Sequence, residues 1–409
     1  MKNKKNVLII AYACEPNETS EPGVGWNFSQ EISKFMNVSV LTRSNNKPKI
    51  EASETTSISF LYYDLPKIFL FLKKRLPLGT QLYFLLWQWG AYISVRKKIK
   101  SGDLKFNIIH QLTFSITWIA PPAFLFKLPF VWGPMGGGDY IPFVFLKGMK
   151  LKSIFQESIY YLINQSNKVS VFSIFSRKKC SALLFRTISS KDQFPKSGCS
   201  YRTIVSETAW SKAIPNELKT RENGYIHAVC IGRMTYWKGT MLAVKGFHDF
   251  INNGGNGKLE LFGKGTELEP IQNYINSNNL KDKIVIRGFV SNDIVQKQLE
   301  NADILLHPSF RDGGSWAVME AMSYGLPVIC LDTSGPKDMV TDQCGLLISM
   351  QSPQQVIKDI TKALHQLAHD SKLYMQLSIN AKQRIKTEYN WDKRGQQIKE
   401  VYNAVLGKL

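Results

Sequence analysis

The sequence predicts an α/β protein with two doubly wound parallel sheets, and two observations support this class. The chain opens with a buried strand at 7–13, a glycine-containing loop, a helix at 26–36 and a second strand at 38–41. This order is typical of the start of a doubly wound sheet. Beyond residue 223, short apolar runs alternate with helical patterns in a second series of the same kind.

The polar segment 206–223, which contains Pro215, predicts the boundary between the two domains. We therefore expect an N-terminal Rossmann-like domain at 1–206 and a C-terminal domain at 207–389. A last helix at 390–409 is expected to pack back on the N-terminal domain.

The other strands follow from buried apolar runs between turn signals. In the first half these runs lie at 106–110 and 130–132 and, less clearly, at 169–175, 182–185 and 203–205. In the second half they lie at 225–231, 259–262, 284–286, 303–307, 327–330 and 346–348, and helical patterns follow at 353–388 and 392–406.

Composition and charge narrow the class of protein. The chain has 409 residues, 44% of them hydrophobic and 21% charged, which indicates a folded protein with a large core. The six Cys form no CxxC pair and the six His show no metal-ligand spacing, so we expect reduced structural thiols and no zinc site.

The positive charge is concentrated in the first half. Residues 1–205 carry 28 Lys and Arg against 11 Asp and Glu, whereas residues 206–409 carry 24 against 21. A basic surface suits anionic lipid or nucleic acid. The chain contains no recognised nucleic-acid-binding motif, so the sequence favours lipid and predicts no nucleic-acid partner.

The segment 78–95 is uncharged and rich in aromatic residues, with basic residues on both sides. Three interpretations remain open: a helix packed in the core, a helix lying on the membrane surface, and a helix that spans the membrane. The interior Gln and Gly residues weigh against the last. At the N-terminus, the short apolar run followed by Glu15 and Pro16 favours a buried strand over a signal peptide.

A loop and helix after the strand at 303–307 carry the first candidate site. Asp312 precedes Gly313 and Gly314, Ser315 is expected to cap a helix that ends at Gly325, and Glu320 lies within that helix. Two glycines at a helix N-terminus leave backbone N–H groups free to meet an anion or a sugar hydroxyl.

A basic turn follows the strand at 225–231. Gly232 lets the backbone approach a ligand, and Arg233 and Lys238 place two cations beside a helix N-terminus. This combination suits a diphosphate, because a guanidinium can bind two oxygens and an ammonium adds a point charge. Val290 follows a further strand, where backbone groups are expected to meet a base, and His110 ends a strand of the first sheet.

Together these stretches resemble the retaining glycosyltransferases of family 4, the group 1 sugar transferases with the two-Rossmann GT-B fold. The stretches that carry the resemblance are EPGVGW at 21–26, 110–113, WGPMGGGD at 132–139, 232–239, 303–329 and 335–340. The EPGVGW and WGPMGGG pieces are similar to a bacterial surface-polysaccharide branch, whose products include lipopolysaccharide and capsule.

The resemblance implies that the domain 1–206 holds the acceptor and the domain 207–389 the nucleotide-sugar donor, facing each other across a cleft. It also implies roles for particular residues. Arg233 and Lys238 would hold the donor diphosphate, and Glu320 would accept hydrogen bonds from the ribose hydroxyls. Asp312 and His110 would lie beside the donor sugar. Backbone N–H groups of Gly313, Gly314, Ser315 and Trp316 would face sugar and phosphate, and Gly23 and Gly25 would let the N-terminal loop approach diphosphate and acceptor.

Two positions depart from the family pattern. Most of the family has Glu where this chain has Asp312, a side chain one methylene shorter, which leaves the donor hexose open. Ser334 replaces the first Gly of the usual Gly-Gly-Pro.

The resemblance also implies the reaction. A UDP- or GDP-sugar would donate a hexosyl group with retention, without cofactor or metal, to a glycan or a polyprenyl-diphosphate-linked acceptor. The enzyme would be cytoplasmic and peripheral on the inner membrane, through its basic N-terminal domain. The competing hypotheses are a catalytically silent nucleotide-sugar-binding protein and an epimerase or pyridoxal-dependent phosphorylase on a similar scaffold.

Overall fold

The structure is a computed structural model that describes residues 4–53, 57–75, 79–147, 149, 151–196, 198–199, 201–215 and 221–407. The chain forms two compact units. The first consists of Met1–Gly138, Leu162–Glu207 and Trp391–Leu409, and the second of Asp139–Tyr161 and Thr208–Asn390. Leu78 and residues 216–220, which belong to the predicted segment 78–95 and the predicted boundary 206–223, lie outside the described residues.

Each unit contains a parallel sheet, which confirms the predicted class of two Rossmann-like α/β domains. Within the described residues, the first sheet has the strand order β3-β2-β1-β4-β5-β6-β7 and the second β10-β9-β8-β11-β12-β13. The strands of the first sheet are β1 Asn6–Ile10, β2 Asn37–Thr42, β3 Ser59–Tyr62, β4 Ile108–Gln111, β5 Phe130–Met135, β6 Ala182–Phe185 and β7 Tyr201–Ile204. Those of the second are β8 Tyr225–Ile231, β9 Asn256–Phe262, β10 Ile284–Gly288, β11 Ile304–His307, β12 Val328–Leu331 and β13 Gly345–Ile348.

Helices connect the strands, as parallel pairing requires. The helices α1 to α8 are Ser20–Ser33, Lys47–Glu51, Lys67–Arg75, Gly79–Lys100, Phe143–Leu146, Leu151–Val169, Val171–Lys179 and Ile188–Gln193. The helices α9 to α16 are Thr240–Asn252, Leu268–Ser277, Asn292–Asn301, Trp316–Ser323, Ser334–Met339, Pro353–His369, Ser371–Glu388 and Trp391–Leu406.

Some helices and strands differ from those expected from the sequence. Residues 169–175 fall largely in helix α7, because the Ser170 hydroxyl accepts the Ser173 N–H and caps a helix where we expected a strand. The helical stretch 353–388 is two helices, α14 and α15, and the Asp370 side chain caps the second by accepting the Leu373 N–H. The edge strand β3 was not predicted.

Helix α4 covers most of the uncharged segment 78–95. Tyr83, Phe84 and Trp87 are buried in the core of the first unit, whereas Leu82 and Ile93 are 43% and 51% exposed. One face therefore packs in the core and another presents apolar side chains at the surface. None of the helices in the described part of the chain is long and apolar enough to cross a membrane.

The second unit includes a segment from the first half of the chain, residues 139–161. Ile141 and Phe145 are buried in the core of this unit, and the Phe145 ring lies 4.9 Å from that of Phe310. The last helix, α16, belongs to the first unit and packs on α1.

Candidate functional site

The loops that follow β8, β9, β10 and β11 lie side by side, because these strands are consecutive in the second sheet. In a parallel sheet such loops meet beyond the carboxyl ends of the strands, at the edge where ligands bind. Gly263 N–H donates to Gly288 O at 2.7 Å, and Phe310 N–H donates to Trp237 O at 2.9 Å. The second hydrogen bond joins the loop that carries Lys238 to the loop that carries Asp312.

Gly232 and Gly239 allow the loop that carries Lys238 to lie close to the loop that carries Asp312. Both have positive φ, 147° and 65°, a region that L side chains rarely adopt. A Cβ on Gly239 would overlap the Pro308 carbonyl oxygen, so helix α9 can begin beside the β11 loop because Gly239 has no side chain. The turn therefore places Lys238 next to the loop that carries Asp312.

Asp312 is the centre of a hydrogen-bonded cluster. Its Oδ2 accepts from Lys238 Nζ at 2.5 Å and from His307 Nε2 at 2.9 Å, and its Oδ1 accepts from the Ser315 N–H at 2.9 Å. Because a carboxylate is an acceptor, His307 carries its proton on Nε2. Burial alone would raise the pKa of Asp312, but the Lys238 charge and the His307 hydrogen bond outweigh it and hold that pKa well below its usual range.

Ser315 occupies the N-cap position of α12, but its side chain does not cap the helix as expected. The residue has φ of 46°, in the left-handed region, and its hydroxyl donates to Asp312 O at 3.0 Å. Its backbone N–H is taken by Asp312 Oδ1. The Ser315 N–H therefore already has an acceptor within the protein. The N–H groups of Gly313, Gly314 and Trp316 lie in the same turn.

Glu320 is buried in α12, with 8% of the residue exposed. Burial raises its pKa to about 7, against the opposing effect of Lys212. Arg233 is exposed, and its guanidinium carbon lies 5.5 Å from the centre of the Trp237 ring. Within the described residues, no hydrogen bond or ion pair joins Arg233 or Glu320 to the Lys238–Asp312 pair.

His110 is a core residue of the first unit. It is 0% exposed, Nε2 donates to Gly133 O at 2.7 Å, and Nδ1 lies 2.8 Å from the Tyr402 hydroxyl. Burial lowers its pKa to about 4, so the ring is neutral. Both ring nitrogens are used by the protein, and the expectation that His110 lies beside a donor sugar stays a prediction.

Gly23 and Gly25 lie in helix α1, not in a flexible loop. A Cβ on Gly23 would overlap Glu18 O, and one on Gly25 would overlap Ala13 O, because the chain crosses the helix closely there. These glycines therefore permit close packing. Between them and the sheet, Glu21 binds Arg186 at 2.5 Å and accepts the Phe114 N–H at 2.9 Å.

Several residues of the cluster were missed from the sequence. His307 ends strand β11, and that strand-end position was the available signal. Arg311 and Glu157 form an ion pair of 2.7 Å, and Glu157 also accepts from the Tyr236 hydroxyl at 2.5 Å. No sequence pattern connects Glu157 to a loop more than a hundred residues away. Val290 is half-buried in the β10 loop, next to Phe289, whose ring lies 4.8 Å from Lys264 Nζ.

The fold, with two Rossmann-like parallel-sheet domains, is the GT-B fold of its structural neighbours. The crystal structure of Anabaena Alr3699/HepE in complex with UDP and glucose matches 98% of this chain and 100% of its own, with a TM-score of 0.60 and 15% identity. At that identity the likeness establishes the fold.

Sequence comparison finds a matching family for the part of the chain that carries the cluster. Residues 213–384 match the model of the family of glycosyl transferases group 1. An uncharacterized glycosyltransferase of Methanocaldococcus jannaschii is 23% identical over 177 residues, 43% of this chain and 44% of that protein. Lipopolysaccharide 1,6-galactosyltransferase of Escherichia coli is 36% identical over 89 residues, 21% of this chain and 25% of that protein. The chain thus spans about half or less of the length of these curated relatives.

Proposed function

We propose that the protein is a retaining glycosyltransferase of family 4 that transfers a sugar from a UDP- or GDP-sugar in cell-surface polysaccharide synthesis. The observation that carries this proposal is the position of Lys238. It lies at a helix start, at the carboxyl edge of the sheet, in the part of the chain that matches the group 1 family.

In this proposal, different residues of the second unit bind different parts of the donor. Lys238 and the exposed Arg233 bind the diphosphate and stabilise the charge that develops on it as the sugar leaves. Glu320 accepts hydrogen bonds from the ribose hydroxyls. Asp312, with the backbone N–H groups of the turn that follows it, faces the donor sugar.

The proposed reaction needs positioning and charge stabilisation more than a protein nucleophile. The acceptor hydroxyl attacks the anomeric carbon on the face that the diphosphate leaves, and a phosphate oxygen takes the hydroxyl proton. The C1–O bond to the diphosphate breaks as the new C1–O bond forms, so the configuration is retained. Arg233 and Lys238 supply the positive charge, and we expect no metal requirement.

The acceptor is a glycan or a polyprenyl-diphosphate-linked sugar, and the enzyme is peripheral on the inner face of the membrane. The first unit supports this, because helices α3, α4 and α7 each have three basic residues in the last turn. Apolar side chains are exposed on the same helices: Ile68 63%, Phe71 51%, Ile93 51% and Phe175 54%. Cationic and apolar groups together suit an anionic lipid surface.

A thermal-shift screen against UDP-, GDP- and ADP-sugars tests the donor proposal. The matching donor should raise the unfolding midpoint, by an amount that grows with the logarithm of its concentration above Kd, because it binds the native state. The Lys238→Met variant should lose the shift and Lys297→Met, an exposed lysine on α11, should keep it. No shift with any sugar nucleotide would contradict the proposal.

Product analysis separates transfer from silent binding. Transfer or slow hydrolysis of the stabilising donor, unchanged by EDTA, is the expected result. A donor that binds without turnover would support the alternative, a catalytically silent nucleotide-sugar-binding protein. Activity that requires added metal would contradict the metal-free scheme.

A further inference from the structure

Ser334 holds a strained backbone at the start of α13. Its φ is 55°, in the left-handed region that glycine adopts without cost and serine does not. The residue is 2% exposed, and its hydroxyl donates to Asp139 Oδ2 at 3.0 Å and accepts the Asp312 N–H at 3.1 Å. A strained conformation persists where the surroundings fix it, and these two hydrogen bonds fix the Ser334 side chain.

The turn at Ser334 lies directly on the loop of Asp312. Gly335 N–H donates to Asp312 O at 3.1 Å. A Cβ on Gly335 would overlap that same oxygen and crowd the Ser315 hydroxyl. Both backbone polar groups of Asp312 are therefore held by the turn at 334–335.

Arg311, the residue before Asp312, is held by Glu157. Arg311 Nη2 lies 2.7 Å from Glu157 Oε1, and the guanidinium carbon lies 4.3 Å from the centre of the Tyr160 ring. Glu157 is 7% exposed and also accepts from the Tyr236 hydroxyl. Glu157 thus links Arg311, the residue before Asp312, to Tyr236, which lies two residues before Lys238.

Both carboxylates come from the segment 139–161, which the first half of the chain contributes to the second unit. We propose that Asp139 and Glu157 are positioning residues that hold the start of the loop 311–315 at two neighbouring residues. Asp139 acts through Ser334 and Glu157 acts through Arg311. Together they place the Asp312 carboxylate where it meets Lys238 and His307. The link to catalysis rests on the proposed function, but the positioning itself does not.

Hydrogen exchange tests the positioning without any ligand. Ser334→Gly removes the hydroxyl and also relieves the strained φ, so its unfolding temperature should stay close to that of the wild type. The Ser315 amide is the decisive probe, because its own acceptor, Asp312 Oδ1, is untouched by the substitution. We expect its exchange to become about tenfold faster or more, as expected when a local opening becomes easier.

Matched variants separate positioning from general effects. Asn279→Gly relieves a left-handed residue, φ 55°, away from the loop and should leave Ser315 exchange unchanged. Asp139→Ala should act like Ser334→Gly, whereas Asp139→Asn keeps an acceptor oxygen and should restore slow exchange. Glu157→Gln removes the charge that pairs with Arg311 and should speed Ser315 exchange. Glu269→Gln, at an exposed residue of α10, should not. Unchanged Ser315 exchange in Ser334→Gly and Asp139→Ala would overturn the inference.

Kinetics tests the consequence for transfer. With the donor found by the thermal-shift screen, kcat should fall about 10- to 100-fold in Ser334→Gly, as for other misplaced reacting groups. The double variant Asp139→Ala/Ser334→Gly should fall no further than either single variant, because both act through one hydrogen-bonded chain. Additive losses would overturn the proposed chain. If the wild type uses no sugar nucleotide, the proposed function fails while the exchange result still decides the positioning.

Discussion

Lys238 Nζ lies 2.5 Å from Asp312 Oδ2, and each side chain is 16% exposed. The ammonium proposed to bind a diphosphate is therefore already paired with a carboxylate before any ligand arrives. A largely buried ion pair is held by mutual attraction, and removal of one partner leaves the other uncompensated. An incoming diphosphate must displace Asp312 from Lys238 or share the ammonium with it.

Replacing Lys238 with Met should therefore strongly reduce transfer. We expect a loss of about 2–4 kcal/mol of transition-state stabilisation, roughly 30- to 1,000-fold in kcat/KM, because a preorganised charge at the leaving group is lost. Steady-state kinetics with the identified donor measures it, with Lys297→Met as the control. Turnover close to that of the wild type would show that Lys238 is not a catalytic residue.

Replacing Asp312 with Asn should have opposite effects on binding and turnover. The neutral amide no longer competes for Lys238 or repels the diphosphate, so UDP or GDP should bind more tightly, by about three- to tenfold. Transfer should be slower, because the amide cannot hold Lys238 and His307 as the carboxylate does. Calorimetric titration and kinetics on the same preparation measure the two effects. Weaker nucleotide binding in Asp312→Asn would show that the ion pair helps the ligand to bind.

The sequence predicted much of this fold because parallel strands buried on both faces are continuous apolar runs. Strand β8 was predicted with the same limits as observed, 225–231. The failures have local causes. Ser170 caps a helix within an apolar run, and β3 is a short edge strand whose residues are half-buried or exposed and not fully buried.

The candidate site was predictable where the chemistry lies at the end of a strand. Lys238 and Asp312 follow β8 and β11, and the strand order brings them together. Glu157, Asp139 and Ser334 could not be placed, because their contacts depend on how a segment from the first half of the chain packs. His110 also ends a strand, and its burial and its hydrogen bonds to Gly133 and Tyr402 could not be predicted from that position.

Glu320 should make stability depend on pH. Its folded pKa is raised to about 7 from 4.5, so between these values the folded state binds more protons than the unfolded state. The free energy of unfolding should therefore fall as pH rises from about 4.5 to about 7. At about 1.4 kcal/mol per unit, this shift of roughly 2.5 units corresponds to a loss of up to about 3 kcal/mol.

Replacing Glu320 with Gln should remove that loss. The variant should be more stable than the wild type at pH 8 and similar at pH 4.5, measured by urea unfolding across the range. Glu269→Gln should not change the profile. If Glu320 accepts hydrogen bonds from ribose, which favour the ionised form, nucleotide binding near pH 6.5 should release protons, visible by calorimetry in buffers of different ionisation enthalpy. Equal pH profiles for wild type and Glu320→Gln would contradict the raised pKa.

The basic helices of the first unit should bind anionic membranes. Vesicles that contain phosphatidylglycerol should sediment with the protein at low salt and release it at high salt, about 0.5 M, where interactions between charges more than a few ångströms apart are screened.

The double variant Lys97→Gln/Lys98→Gln removes two exposed cations from the end of α4 and should weaken binding, whereas Lys281→Gln/Lys297→Gln removes two from the second unit and should not. Replacing Ile93, 51% exposed on α4, with Ser should weaken binding more than replacing Ile379, 40% exposed on α15. Equal losses from both units would indicate a general charge effect, and no binding at low salt would favour an acceptor that is not membrane-bound.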